Sequence, residues 1–274
     1  MKTILVATDY TDSAESAFKY AAFIASFIKA DVALFNNYTF DIHSLNGLIT
    51  ASAMGDMIRK NKLRLDEYAE GLSLKYKRPI KAFSLTTMTT ESLEEILSKL
   101  GVGLLVMGMK KNAGEYHFSG NTSNAIIKNS KVPVLVVPDK IVLKMPERIL
   151  YACDYQNLPK DEHLKVLIEL VKAFGSELQV FHVNKHQTAE NIEQDLKAAF
   201  LNKMENAISS LNHTYCDVNS KDFMESLKLG LNNFNADILV MSPHKYGFWT
   251  SLIHKSKTKE MALTSEIPLL SIPS

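Results

Sequence analysis

Between Gly108 and Ile126 the chain reads GMKKNAGEYHFSGNTSNAI, residue types that suit an anion. Gly108, Gly114 and Gly120 let backbone amides approach a charged group with no Cβ in the way. Asn121 and Thr122 open a helix, whose first turn offers unpaired N–H groups and a partial positive charge. Lys110 and Lys111 add formal positive charge beside them. Together these features describe a loop that could hold a phosphate. Glycines before a helix serve plain turn-making as readily, and the residues alone leave the two readings level.

Two carboxylates, Asp9 and Asp154, each close a short apolar run and are each followed by tyrosine. They belong to separate halves of the chain, so pairing them as acid and base would require unusual domain geometry, and Asp154 is most simply a loop cap. A second loop, Ser242 to Ala262, reads SPHKYGFWTSLIHKSKTKEMA; its lysines suit a solvated basic helix start better than a phosphate site. His182 and His186 are four apart but fall where a strand runs into a loop, so they share no helix face and form no metal site. Cys153 and Cys216 lie outside any CxxC pattern and have no histidine partner identifiable in the sequence. No serine stands in a G-x-S-x-G elbow. Catalytic and metal residues are therefore expected to be absent.

These residues need a frame, and the chain supplies it twice. Thr3–Asn36 and Arg148–Val183 each begin with an apolar strand ending in Asp-Tyr, followed by an amphipathic helix and a second apolar strand. Further on, LLVMG at Leu104–Gly108 is echoed by ILVMS at Ile238–Ser242, and VPVLVVP at Val132–Pro138 by IPLLSIP at Ile267–Pro273. The matches keep their order, which identifies an internal repeat. Each copy reads as five strands alternating with helices. In the first copy the strands fall near Thr3–Thr8, Asp31–Phe35, Ile80–Leu85, Leu104–Gly108 and Pro133–Val137. The helices fall near Ser13–Lys29, Ala51–Leu74, Glu91–Lys99 and Thr122–Asn129, with Asp12 and Glu15 forming a capping box for the first. In the second copy Asn157 is the expected cap of the matching helix, with Pro159 in its first turn.

Short apolar strands without strict alternation, joined through helices, belong to parallel sheets covered on both faces. The fold class is α/β: two tandem doubly wound domains, each a five-stranded parallel sheet with helices on both faces. The expected domains are 1–140 and 146–274, joined by a short linker. In such sheets a ligand binds outside the carboxyl ends of the strands, where strand order reverses, which points to the loops after strands one and four.

With 31 lysines and arginines against 30 aspartates and glutamates, the chain lacks the basic excess of a nucleic-acid or membrane-surface binder. No apolar run approaches the length of a membrane span, and the MKTILVATD start is too short for a signal peptide. With two unpaired cysteines, this makes a cytoplasmic location the expectation.

The opening ILVATDYTDSAESAFKYA, the VMG strand end, SGNTSNAI and the closing KVPVLVVP together resemble the universal stress protein family, and the repeat resembles its tandem members. The resemblance implies the doubly wound fold just described, a stress-response role, and binding of ATP or another adenine nucleotide, with Mg only alongside the nucleotide. The family's nucleotide-binding members carry Gly-x-x-Gly, nine residues, then Gly and Ser or Thr. Here Gly108 and Gly120 match, Lys111 replaces the second glycine, Asn121 replaces Ser or Thr, and the loop is one residue short. In the second half Ser242 replaces the first glycine and no Gly-Ser pair opens the helix. The first domain is thus the nucleotide candidate, with Asp9 near the adenine and Gly108, Lys110, Lys111, Gly120, Asn121 and Thr122 around the phosphates. The altered motif equally admits a nucleotide-independent scaffold of the same fold. Slow ATP hydrolysis ranks last, there being no obvious water-activating base. The resemblance also implies a pseudo-dimer within the chain, Val134–Val137 meeting Leu269–Ile272; whether two chains associate stays open.

Overall fold

A computed structural model describes residues 2–38, 50–85, 90–112, 115–117, 130–153, 155, 160–184, 190–242 and 267–273. In the first half, β1 (Thr3–Ala7) leads into α1 (Asp12–Ile28), then β2 (Asp31–Asn37), α2 (Ala51–Tyr76), β3 (Ile80–Leu85) and α3 (Thr90–Lys99). It ends with β4 (Val102–Asn112), β5 (Glu115–His117) and β6 (Val134–Pro138). The second half runs β7 (Arg148–Cys153), α4 (Asp161–Phe174), β8 (Glu177–Asn184), α5 (Glu190–Ile208) and β9 (His213–Asn219). It closes with α6 (Phe223–Phe234), β10 (Ile238–Met241) and β11 (Leu269–Ser271).

One sheet runs through the molecule in the order β3-β2-β1-β4-β6-β11-β10-β7-β8-β9, with β5 hanging off β4. Each half contributes five parallel strands. The halves join where β6 and β11 pair antiparallel, Leu270 opposite Leu135 and Leu269 opposite Val136, the pairing that the family resemblance implied. Alternate residues face opposite sides, as the pleat requires. Ile4, Val6, Val32 and Leu34 share a core with α1, α2, α4 and α5. Leu5, Ala33 and Leu105 pack on the other face under α3 and α6 through Leu93, Leu97, Leu227 and Leu231. Both faces of the inner strands are covered, which explains their unbroken apolar runs, whereas the edge strands β3 and β9 are partly exposed.

The halves are also tied above the sheet. Phe174 of α4 stacks on Phe23 of α1 (centroids 6.2 Å apart) and meets Phe27 edge-on at 5.6 Å. The ring nitrogens of buried His163 lie 2.8 Å from the Pro273 carbonyl and 2.9 Å from that of Lys131.

Local details differ from the sequence reading at three points. The cap of α1 is Thr11 rather than Asp12: its hydroxyl accepts from the Ala14 N–H, and Asp12 stands inside the first turn beside the positive helix end. Helix α4 begins at Asp161 after Lys160, which offers no side-chain cap; Asn157 and Pro159 lie outside the described residues. Finally β4 does not stop at Gly108 but runs to Asn112 and turns back antiparallel as β5, Lys110 facing His117 and Lys111 facing Tyr116. An apolar pattern could not reveal this extension, because residues 110–112 are polar.

Candidate functional site

In the first half, strand order reverses between β1 and β4, and the chain leaving β1 turns there into α1. Asp9 is exposed, and one carboxylate oxygen accepts from the Thr11 amide at 3.1 Å and the Thr11 hydroxyl at 2.5 Å. Its other oxygen has no protein partner among the described residues. Tyr10 adopts φ 65°, left-handed backbone that is strained for a residue with a side chain. The Tyr10 N–H donates to the Thr8 hydroxyl at 3.1 Å, which helps hold the turn. Arg64 of α2 lies 4.0 Å over the Tyr10 ring and Tyr68 meets it edge-on. The turn thus presents one carboxylate oxygen, unpartnered among the described residues, beside the amino end of a helix.

Gly108 lies at the matching height on β4, and its missing side chain is used by the protein itself. A Cβ there would stand 2.2 Å from the Ser13 carbonyl oxygen and 2.9 Å from the Ala14 nitrogen. The glycine lets the first turn of α1 rest directly on the strand. Of the other residues singled out in the sequence, Lys110 is exposed on β4 and Lys111 follows it on the same strand. Gly114, Gly120, Asn121 and Thr122 lie outside the described residues, as do Asp154, His186 and most of the second loop. Among the described residues, no group of three or more His, Cys, Asp or Glu could hold a metal ion, and no helix is long and apolar enough to cross a membrane.

With this geometry in view, comparison with known proteins is informative. A model of the universal stress protein family matches residues 1–138. The chain belongs to that family. A universal stress protein from Archaeoglobus fulgidus DSM 4304 is similar over 99% of this chain and 98% of its own, at 18% identity and a TM-score of 0.70. A functionally unknown protein from Pseudomonas aeruginosa PAO1 is similar over 100% of this chain and 92% of its own, at 14% identity and a TM-score of 0.54. At such identities the likeness concerns the fold, and it extends over both halves. No curated protein sequence matches the chain.

Within this universal stress protein, the carboxyl ends of the first three strands of each half carry a row of polar residues that the sequence reading missed. In the first half the row is Thr8, Asn36 and Ser84. The Asn36 amide donates to the Thr8 carbonyl at 2.7 Å, and Asn61 of α2 donates to Asn36 at 3.0 Å and to Ser84 at 2.9 Å. In the second half strand register sets Cys153 beside His182 and His182 beside Asp217. The His182 ring meets the Cys153 carbonyl through Nδ1 at 3.1 Å and stacks on Tyr155 with centroids 3.8 Å apart. Asp217 accepts from the Tyr155 hydroxyl and from Lys197 of α5. Burial pushes the Asp217 carboxyl up, but hydrogen bonds from Lys197 and Tyr155 outweigh it and hold the group below its ordinary range. Burial and the bond to Asp217 push the Tyr155 phenol far up. So Cys153 does have a histidine neighbour, brought there by register rather than by sequence spacing. The sequence reading named Cys153 and His182 without joining them; for the first row the hint was the polar end of the second strand, FNN.

Proposed function

We propose that this universal stress protein binds an adenine nucleotide, ATP or a relative, in its first half and performs no dedicated catalysis. The reading takes residues 1–140 as the binding unit and 146–274 as a second unit that lacks the loop motif. Asp9 would meet the base, and Gly108, Lys110, Lys111, Gly120, Asn121 and Thr122 would surround the phosphates, with Mg entering only alongside the nucleotide. The observation that carries this reading is the β1–β4 switch point, where one Asp9 carboxylate oxygen, unpartnered among the described residues, stands beside the amino end of α1. Ligands favour that place in doubly wound sheets. Binding would bias the loop after β4 and, through it, the packing of the two halves in a cytoplasmic stress response.

One observation favours a second reading, a scaffold that works through protein contacts. The space left by Gly108 is filled by the backbone of α1, so packing alone accounts for the first glycine of the motif. Equilibrium binding of Mg-ATP, ADP and AMP to the wild-type chain and to Lys111→Glu and Asn121→Ala variants separates the two. Micromolar binding weakened about tenfold or more by either change supports the nucleotide reading. Tight binding unchanged in both variants would overturn the residue assignment, and absence of binding would leave the scaffold.

A further inference from the structure

His163 stands in the first turn of α4 and is only 6% exposed. Its two ring nitrogens reach two different carbonyl groups. Nδ1 lies 2.8 Å from the Pro273 oxygen, just past β11, and Nε2 lies 2.9 Å from the Lys131 oxygen, just ahead of β6. The antiparallel register, Ser271 opposite Val134, brings these two carbonyls to the same end of the β6–β11 pair. Lys131 belongs to the first half, and Pro273 and α4 to the second. The ring therefore spans the junction.

A carbonyl oxygen only accepts, whereas a neutral imidazole donates from one nitrogen and accepts at the other. A neutral ring here would satisfy one carbonyl and turn a lone pair toward the second. Only the imidazolium, with an N–H on each nitrogen, makes both bonds. A buried cation is costly unless it is hydrogen-bonded and paired, and this place offers both. A Glu162 carboxylate oxygen lies 3.6 Å from Nε2, in addition to the two carbonyls. The positive amino end of α4 opposes a cation, and Asp161 and Glu162 in the same turn offset it. Asp161 is itself paired with Lys203 of α5 at 3.0 Å. From the first half Lys131 offers the ring its carbonyl, while its ammonium lies 2.5 Å from Glu94 of α3. Helix α1 meets α4 through the uncharged Phe23 and Phe27, and Ser274, after Pro273, lies outside the described residues.

We propose that His163 is a pH-sensitive latch between the halves: as the imidazolium it ties α4 to the end of β11 and to the start of β6, and loss of either proton breaks one tie. The latch does not rest on the nucleotide reading. A folded state that holds a proton more tightly than the unfolded chain loses stability as pH rises. Urea unfolding of the full chain and of His163→Gln across pH measures this. The wild type's advantage in the folding equilibrium should shrink about tenfold as pH rises from about 5 to about 9, a span that encloses the range in which histidine ordinarily changes charge. A histidine that serves packing alone would keep its advantage at every pH. Nitrogen NMR of the wild type, with the ring assigned through its backbone, reads the charge directly and does not depend on the variant folding. At neutral pH the two His163 nitrogens should give the closely spaced signals of an imidazolium. An advantage that stays constant or grows with pH, or the widely split signals of a neutral ring at neutral pH, would overturn the latch.

Discussion

Thr8, Asn36 and Ser84 in the first half and Cys153, His182 and Asp217 in the second occupy matching places at the carboxyl ends of matching strands. The backbone frame is the same and the chemistry is not. The first row is neutral and fully amide-bridged, with Asn61 of α2 closing it from above. The second is ionisable, and α5 closes it with Lys197 on Asp217. The helix starts differ too: α1 begins three residues after Asp9 and rests on Gly108, whereas α4 begins seven residues after Asp154 and Ser242 stands where the glycine would be. A doubly wound half therefore fixes where polar groups collect but not which ones. The first half rests its helix amino end on β4 at Gly108, and the second half carries a charged cluster at its strand ends.

The largest effect that could break this comparison is expected at Gly108. Gly108→Ala would drive a methyl into the Ser13 carbonyl and should destabilise the protein by about 3 kcal/mol or more. At the matching position Ser242→Ala should be neutral or slightly stabilising, because the Ser242 hydroxyl is buried without a partner among the described residues. Urea unfolding of the two variants measures both; similar losses would show that the helix starts are equivalent after all.

Acid should distinguish the rows next. The Asp217 carboxyl is held below its ordinary range in the folded protein. Its contribution is therefore present above the unfolded value, near 4, and is lost as pH falls through the folded value. Asp217→Asn should lower stability at pH 7 by about 1 kcal/mol, a modest figure because the carboxylate is 37% exposed and water screens its pairing. The same variant should lose less than the wild type between neutral and strongly acid pH, as followed by denaturant midpoints. Ser84→Ala, in a row without ionisable groups, should leave the acid dependence as it is.

The smallest and sharpest contrast lies in the two tyrosines. Tyr155 donates its hydroxyl to Asp217, whereas the Tyr10 hydroxyl is buried without a partner among the described residues. Tyr155→Phe is expected to cost about 1 kcal/mol and Tyr10→Phe nothing or a small gain. Opposite signs in thermal unfolding would confirm that the rows differ in bonding; equal losses would contradict it.

Much of this fold was legible from residue patterns. The repeated Asp-Tyr strand ends, the VMG and VMS pairs and the two Pro-flanked final strands located β1, β4 and β6 in the first half of the sheet and β7, β10 and β11 in the second. Apolar runs carry that information because the inner strands are covered on both faces. What escaped the sequence depends on contacts between distant residues. Gly108 reads as a ligand glycine until Ser13 is seen lying on it. His182 reads as an isolated strand histidine until register sets it beside Cys153 and under Tyr155. The cap of α1 fell one residue early, at Thr11, since threonine and aspartate both cap and only the Ala14 contact chooses between them. The polar end of β4 gave no strand signal at all.

The central claim is that the first half binds an adenine nucleotide at the β1–β4 switch point. Thermal unfolding with and without millimolar Mg-ATP, ADP and AMP tests it most directly, because a ligand specific to the folded state stabilises it by ~2.7 kcal/mol at one hundred times its dissociation constant. A raised midpoint with at least one nucleotide, abolished by Lys111→Glu, is the result the account predicts. An unchanged midpoint with all three would contradict it and leave the protein a scaffold of the same fold.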